Sequence, residues 1–269
     1  MSVTSTVTPQ DIADALTALR ERPPLVQCLT NIVVAGWTAN VLLAVGAAPA
    51  MVDNPQEAGA FAAIAGGVLV NLGTPYEDTA AAMHLAVAGA KQSGTPWVLD
   101  PVAAGALAWR TIVAHQLLRE ARPTIIRGNA SEILALAGGA GGRGVESVDS
   151  AEAAVAVAMF LAGQQHSVVA VSGPTDHITD GSHVVRLSNG HPWLTRVTGV
   201  GCALGALMAA FAAVVPDAVV AAAAATATLT VAADWAAKET RGLGSFAVAL
   251  LDELALIKPA DLAERVRIS

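Results

Sequence analysis

The chain has 269 residues, 54% of them apolar but only 4% aromatic and 14% charged, with a formal net charge of −7. This length suits one large α/β domain, and no Ser/Pro/Gly-rich linker or charge block argues for two. The acidic balance leaves no basic stripe to neutralise a phosphate backbone, which excludes nucleic acid as the main partner.

Residues 1–10 are expected to form a flexible tail; they lack the basic region and apolar run of a secretory signal. Gly67-Val68-Leu69-Val70-Asn71 reads as a buried strand ending at Gly73-Thr74-Pro75, and Glu77–Gly89 as a helix with a charged start. Pro96–Leu99 is a second strand, stopped by Asp100-Pro101, and Thr111–Arg119 is helical. A third strand, Thr124–Ile126, ends at Arg127-Gly128-Asn129. Helix Ala130–Ala137 then runs out in a flexible Gly-rich connection over Gly138–Gly144. Ala151–Gly163 is another Ala-rich helix, and Ser167–Val171 a strand leading to Ser172-Gly173-Pro174. A hairpin follows, with arms Ser182–Leu187 and Trp193–Val197 around Ser188-Asn189-Gly190. Strands alternating with helices predict βαβ units in one mostly parallel sheet with right-handed crossovers.

The nearly uncharged stretch Val200–Ala233 is cut by Pro216-Asp217 into two pieces. Each is shorter than the ~20 apolar residues of a membrane-spanning helix, and no Lys/Arg cluster flanks them. Two buried helices are predicted, and no membrane partner. With so little charge to cover its surface, the chain is expected to bury apolar faces between subunits. Its two cysteines, Cys28 and Cys202, form neither a disulfide framework nor a metal-ligand spacing, which fits a reducing, cytoplasmic compartment.

The chemistry-bearing residues collect past the carboxyl ends of predicted strands, the rim where open α/β sheets bind ligands. Thr198-Gly199-Val200-Gly201-Cys202 follows a strand-like lead-in, His191–Val197, and runs into a helix. Its paired glycines and the helix N-terminus form a candidate anion hole made of N–H groups. Asn129 and Glu132, three apart, fit either a helix-capping pair or, for Glu132, a carboxylate holding hydrated Mg²⁺ together with Asp100. Arg127 at a strand end could bind phosphate bidentately. The six histidines show no ligand spacing, and neither a phosphate-binding P-loop nor a Ser-His-Asp pattern is present.

Several motifs, taken together, resemble those of hydroxyethylthiazole kinases. They are Leu29-Thr30-Asn31-Ile32-Val33-Val34, Gly46–Met51, Asp100-Pro101-Val102, Arg127–Ile133, Thr198–Cys202 and Gly244-Ser245-Phe246, in the family's order over roughly residues 24–257. The resemblance implies a ribokinase-like three-layer α/β sandwich, a mostly parallel sheet with helices on both faces. It implies phosphorylation of the alcohol of 4-methyl-5-(2-hydroxyethyl)thiazole by MgATP, for thiamine synthesis, in a homotrimer with active sites between subunits. By matching motif, Met51 and Gly199 would contact the thiazole, with Asn31 and Gly73 lining its pocket. Arg127 and Ser172, with Asn129 and Thr198, would hold ATP. Asp100 and Glu132 would organise Mg²⁺. Gly199, Val200, Gly201 and Cys202 would form the anion hole, with Cys202 at the reacting hydroxyl. Its thiol, at a helix N-terminus, is expected to have a lowered pKa. Cys28 stands where the family pattern more often has a polar residue, and Val200 where it has a smaller one. Three other readings stay open on the residues: a nucleotide-dependent dehydratase on the same scaffold, a kinase of another small alcohol, and an ATP-binding trimer without turnover.

Overall fold

In the computed structural model, residues 7–138 and 151–269 are described. Eight strands form one sheet: β1 (Leu25–Leu29), β2 (Ala48–Ala50), β3 (Gly67–Asn71), β4 (Trp97–Asp100), β5 (Ile125–Asn129), β6 (Val168–Ser172), β7 (Asp176–Thr179) and β8 (Val184–Leu187). Their order is β2-β1-β3-β4-β5-β6-β7-β8, parallel through β6 and antiparallel across β7 and β8. The helices are α1 (Pro9–Glu21), α2 (Ala35–Val45), α3 (Ala58–Ala62), α4 (Glu77–Ser93), α5 (Ala108–Glu120), α6 (Ala130–Gly138), α7 (Ala151–Gln165), α8 (Val200–Ala212), α9 (Ala218–Ala236), α10 (Leu243–Leu256) and α11 (Pro259–Arg265).

Alternation along the strands divides the core in two. Val26, Leu69, Val98, Ile125 and Val168 face a layer built from α1, α2 and α8–α11. Val68, Val70, Leu99, Ile126 and Val169 face a second layer built from α3–α7. The expected three-layer sandwich follows from both faces of the sheet being apolar. Pro216-Asp217 divides α8 from α9 as predicted, with Asp217 Oδ1 accepting the Val219 and Val220 N–H groups at 2.8 and 3.2 Å. By length and composition alone α9 could cross a membrane, yet 72% of its apolar window is buried in this fold. It is a core helix.

Three expectations are corrected. The tail does not extend over residues 7–10: Val7 is buried, Thr8 caps α1 by exchanging hydrogen bonds with Asp11, and Pro9 opens the helix. Residues 1–6 lie outside the described residues, as does the Gly-rich connection beyond Gly138. Helix α4 continues past Gly89 to Ser93, because Gly89 is a packing position: a Cβ there would collide with the Gly59 carbonyl. The second arm of the hairpin is not a strand. Pro192–Thr195 is a 3₁₀ turn in which Pro192 supplies no N–H for a ladder, and the Trp193 ring packs edge-on against Phe246 at 5.6 Å. The partner of β8 is β7, so the strand-like lead-in to Thr198 is absent too.

Candidate active site

Strand register brings four polar strand ends side by side on the carboxyl rim. Asn71 of β3 pairs with Asp100 of β4, and Asn129 of β5 with Ser172 of β6. From them runs a continuous hydrogen-bonded chain. Asn31 Nδ2 donates to Cys202 Sγ at 3.3 Å and to Asn71 Oδ1 at 3.1 Å. Asn71 Nδ2 donates to Asp100 Oδ2 at 2.7 Å. Arg127 Nη1 lies 3.4 Å from Asp100 Oδ1, and its Nη2 donates to Ser172 Oγ at 3.0 Å. Of the residues given roles by motif, Asn31, Asp100, Arg127, Ser172 and Cys202 thus form one unit, and Asn71 is the link that sequence reasoning missed.

Burial controls the electrostatics. Asp100 is fully buried, and desolvation pushes its carboxyl up to about 6, with Arg127 opposing the rise and Glu132 adding to it. Asp176, also missed, accepts the Gly173 N–H at 3.1 Å; burial raises its carboxyl to about 6, and Arg127 lowers it. The Asp three residues after Gly173 was the available signal, a turn-forming side chain beside a strand end. The expectation for Cys202 is corrected: its thiol is raised above the ordinary value, first by burial and then by the charge of Asp100.

Glu132 fulfils the capping role. Its N–H donates to Asn129 Oδ1 and its Oε2 accepts the Asn129 N–H, both at 2.9 Å. Its other oxygen, Oε1, accepts the Ala103 N–H at 3.0 Å, holding the loop after Asp100 with Ala103 at φ +63°. Glu132 therefore faces Asp100 from a fixed position, with both oxygens already in backbone hydrogen bonds.

Helix α8 begins over this cluster. Gly199 is its N-cap at φ +87°, and Ala203 is the first residue to donate back, to the Gly199 carbonyl at 2.8 Å. The N–H groups of Val200, Gly201 and Cys202 are the orphan donors of the first turn. A Cβ at Gly201 would lie 3.0 Å from Arg127 Nη2, so any side chain there would push the end of the guanidinium aside by a few tenths of an ångström. The guanidinium and the helix N-terminus thus converge on one spot. The Val200 side chain is buried in the core, away from these donors. Gly73 is equally constrained, as a Cβ there would lie 2.6 Å from Asn31 Cβ.

Other positions stand apart. The Cβ direction of Gly199 is filled by Val34, with Cγ1 2.6 Å from where a methyl would sit, so that side faces packed protein. Gly199→Ala is expected to cost on the order of 2 kcal/mol through left-handed strain and this collision, measured by denaturant unfolding. Thr198 is exposed. Met51 follows edge strand β2, two strand spacings (~10 Å) from β3, and is 37% exposed. Cys28 belongs to the core, not to a pocket: it is 1% exposed and burial raises its thiol to about 12. Thr74, another residue not anticipated, accepts the Ile32 N–H at 3.1 Å and ties the Asn31 loop to the loop after β3.

The model of the "Hydroxyethylthiazole kinase family" matches residues 16–259. The chain belongs to the hydroxyethylthiazole kinase family. It is 60% identical over 258 residues to the hydroxyethylthiazole kinase of Clavibacter sepedonicus, covering 96% of this chain and 94% of that one. The solved structure of the Pyrococcus horikoshii hydroxyethylthiazole kinase superposes with a TM-score of 0.90 at 38% identity, covering 96% and 98% of the two chains. A ribokinase-like superfamily protein of Enterococcus faecalis, with a TM-score of 0.63 at 12% identity over 94% and 90%, shares the fold alone. The enzyme is a kinase of this family, built on a fold shared with that ribokinase-like protein.

Proposed function

We propose that this site transfers a phosphoryl group from MgATP to the hydroxyl of 4-methyl-5-(2-hydroxyethyl)thiazole, giving thiazole phosphate for thiamine biosynthesis or salvage. The observation that carries the reading is that the first turn of α8, with its three orphan N–H groups, lies against the Arg127 guanidinium at Gly201, and that Arg127 Nε is buried without a hydrogen-bond partner among the described residues. Such a cluster suits a transferring phosphoryl group, whose charge spreads over oxygens and needs positioning and neutralisation more than covalent chemistry. Ser172 orients Arg127, while Asn129 and Thr198 lie toward the nucleotide end.

Asp100 and Glu132 fit Mg²⁺. Burial and the charge of Glu132 both make the Asp100 carboxylate costly, with Arg127 the cation opposing them, a charge imbalance that a divalent cation relieves. Among the described residues no group of three or more His, Cys, Asp or Glu forms a metal cage. This fits Mg²⁺, which is usually held by one or two carboxylates plus substrate phosphates. When bound it supplies charge neutralisation on the phosphates. Asp100, fixed by Asn71 and Arg127, would hold it directly, and Glu132 would hold its waters.

Cys202 sits beside Asn31, where the acceptor hydroxyl would lie, with Gly73 and Met51 toward the thiazole. Its raised thiol makes it a poor base at neutral pH, so Cys202→Ala is expected to lower kcat by about 10-fold and not to abolish turnover. Complete inactivity with unchanged ATP binding would show the thiol to be essential. Ile32 and Val33, exposed at 74% and 65%, flank Asn31. Apolar surface at this place supports a homotrimer in which a neighbouring subunit covers each site. The two free thiols fit a cytoplasmic enzyme.

The experiment is a coupled ADP-release assay with each component omitted in turn. ADP production that requires both Mg²⁺ and the thiazole alcohol supports the proposal. ATP binding with no alcohol-dependent turnover would overturn it, and hydroxymethylpyrimidine, pyridoxal and hydrated nicotinamide cofactor would be tested next.

A further inference from the structure

Asn71 has no role in the motifs, yet the hydrogen-bonded link from Asn31 to Asp100 passes through it. It is 1% exposed, the last residue of β3, in register with Asp100. Its carboxamide cannot be turned around. The Gly73 backbone N–H lies 2.9 Å from Oδ1 and can only donate, so the oxygen must face Gly73 and the Nδ2 must face Asp100. The constraint passes on. Because Asn71 Oδ1 also accepts from Asn31, the nitrogen of Asn31 must point inward, and its second hydrogen meets Cys202 Sγ. Both donors of Asn31 are then used, and its Oδ1 carries no hydrogen-bond partner among the described residues. One backbone N–H thereby sets the polarity of two side-chain amides.

We propose that Asn71 is a positioning residue: locked by the Gly73 N–H, it turns the Asn31 carbonyl oxygen toward the acceptor alcohol and fixes the rotamer of Asp100. The inference rests on the kinase reading of the site. Asn31 Oδ1 accepts the hydroxyl hydrogen of a primary alcohol, so the alcohol oxygen is oriented by the side chain that also touches Cys202. An acceptor lacking a hydrogen-bond donor at this atom leaves Asn31 Oδ1 unpaired.

Two substitutions separate the halves of Asn71. Asn71→Asp keeps an acceptor for Gly73 and Asn31 but replaces the fixed amide donor to Asp100 by a second carboxyl, which repels Asp100 or shares its proton. Asn71→Ala removes both acceptor and donor. Steady-state kinetics with MgATP and the thiazole alcohol are measured for wild type and both variants, with Tm recorded alongside. The expected result is a kcat at least about 30-fold lower for Asn71→Asp with the KM of the alcohol within about threefold of wild type. For Asn71→Ala the KM of the alcohol rises by about 10-fold or more in addition, with the KM of ATP changing less. A merely structural role would lower Tm and the amount of active enzyme without splitting the two KM values. Wild-type kcat and alcohol KM in both variants, or equal changes in both KM values, overturn the inference and leave the kinase reading standing. If Asn71→Ala does not fold, Asn71→Asp decides through its kcat and the unchanged alcohol KM. Absence of wild-type turnover overturns the kinase reading and this inference with it.

Discussion

Asp100→Asn is expected to lower kcat by on the order of 1,000-fold while leaving the Tm at pH 8, measured in EDTA, equal to or above that of wild type. The two effects have one origin. Asp100 is a fully buried carboxylate whose pKa is pushed up to about 6 from 3.8, chiefly by desolvation. An acid with a raised folded pKa favours the folded state at low pH. That contribution is fully present below the unfolded value, near pH 4, and is lost as pH rises through about 6. At pH 8 the charged form therefore costs the fold on the order of 3 kcal/mol, from roughly two pKa units. The amide removes that cost and keeps an acceptor for Asn71 Nδ2. Its new N–H groups facing Arg127 return part of the gain. Activity falls because the carboxylate proposed to hold Mg²⁺ is gone. A Tm at pH 8 several degrees below wild type would show that the buried charge stabilises the fold, against this account.

Arg127→Met should be damaging in both respects. The guanidinium bonds Asp100 and Ser172 and lies against Gly201, so its loss removes the cation opposite the α8 N–H groups. We expect kcat/KM to fall by on the order of 1,000-fold or more. Removing one partner of a buried ion pair typically costs about 3–5 kcal/mol, and here Asp100 loses the largest influence holding its pKa down. The Asp100 pKa should then lie above 6, so the variant loses stability at pH 8 and recovers it on acidification toward pH 5. Adding Asp100→Asn to the Met variant should restore stability at pH 8 without restoring activity. Denaturant unfolding of the four proteins at both pH values tests this, and a loss that is independent of pH and untouched by Asp100→Asn would sink it.

The parallel sheet was legible because its strands are short apolar runs stopped by polar or Gly-rich ends, and those ends are the site. The bounds of β3, Gly67–Asn71, fall where that pattern puts them. The hairpin failed where tertiary packing overrode alternation: Trp193 is held by Phe246 and His191, not by a neighbouring strand. Residues that act through chemistry type, such as Arg127 and Asp100, could be singled out. Asn71 could not, since an Asn at a strand end looks like any terminator and its role exists only in register with Asp100. The thiol of Cys202 was misjudged for a related reason. A helix N-terminus is visible in sequence, whereas the burial and the neighbouring carboxylate that raise its pKa are not.

The burial of Cys28 has a practical consequence for handling the protein. Of two cysteines, one is sealed in the core with a thiol near 12 and the other stands partly open at the site. Toward an alkylating reagent at mildly alkaline pH, the folded chain should behave as a single-thiol protein. The stoichiometry of labelling then becomes a count of conformations: one equivalent marks the native state, and the appearance of a second reports opening of the layer between β1 and α8.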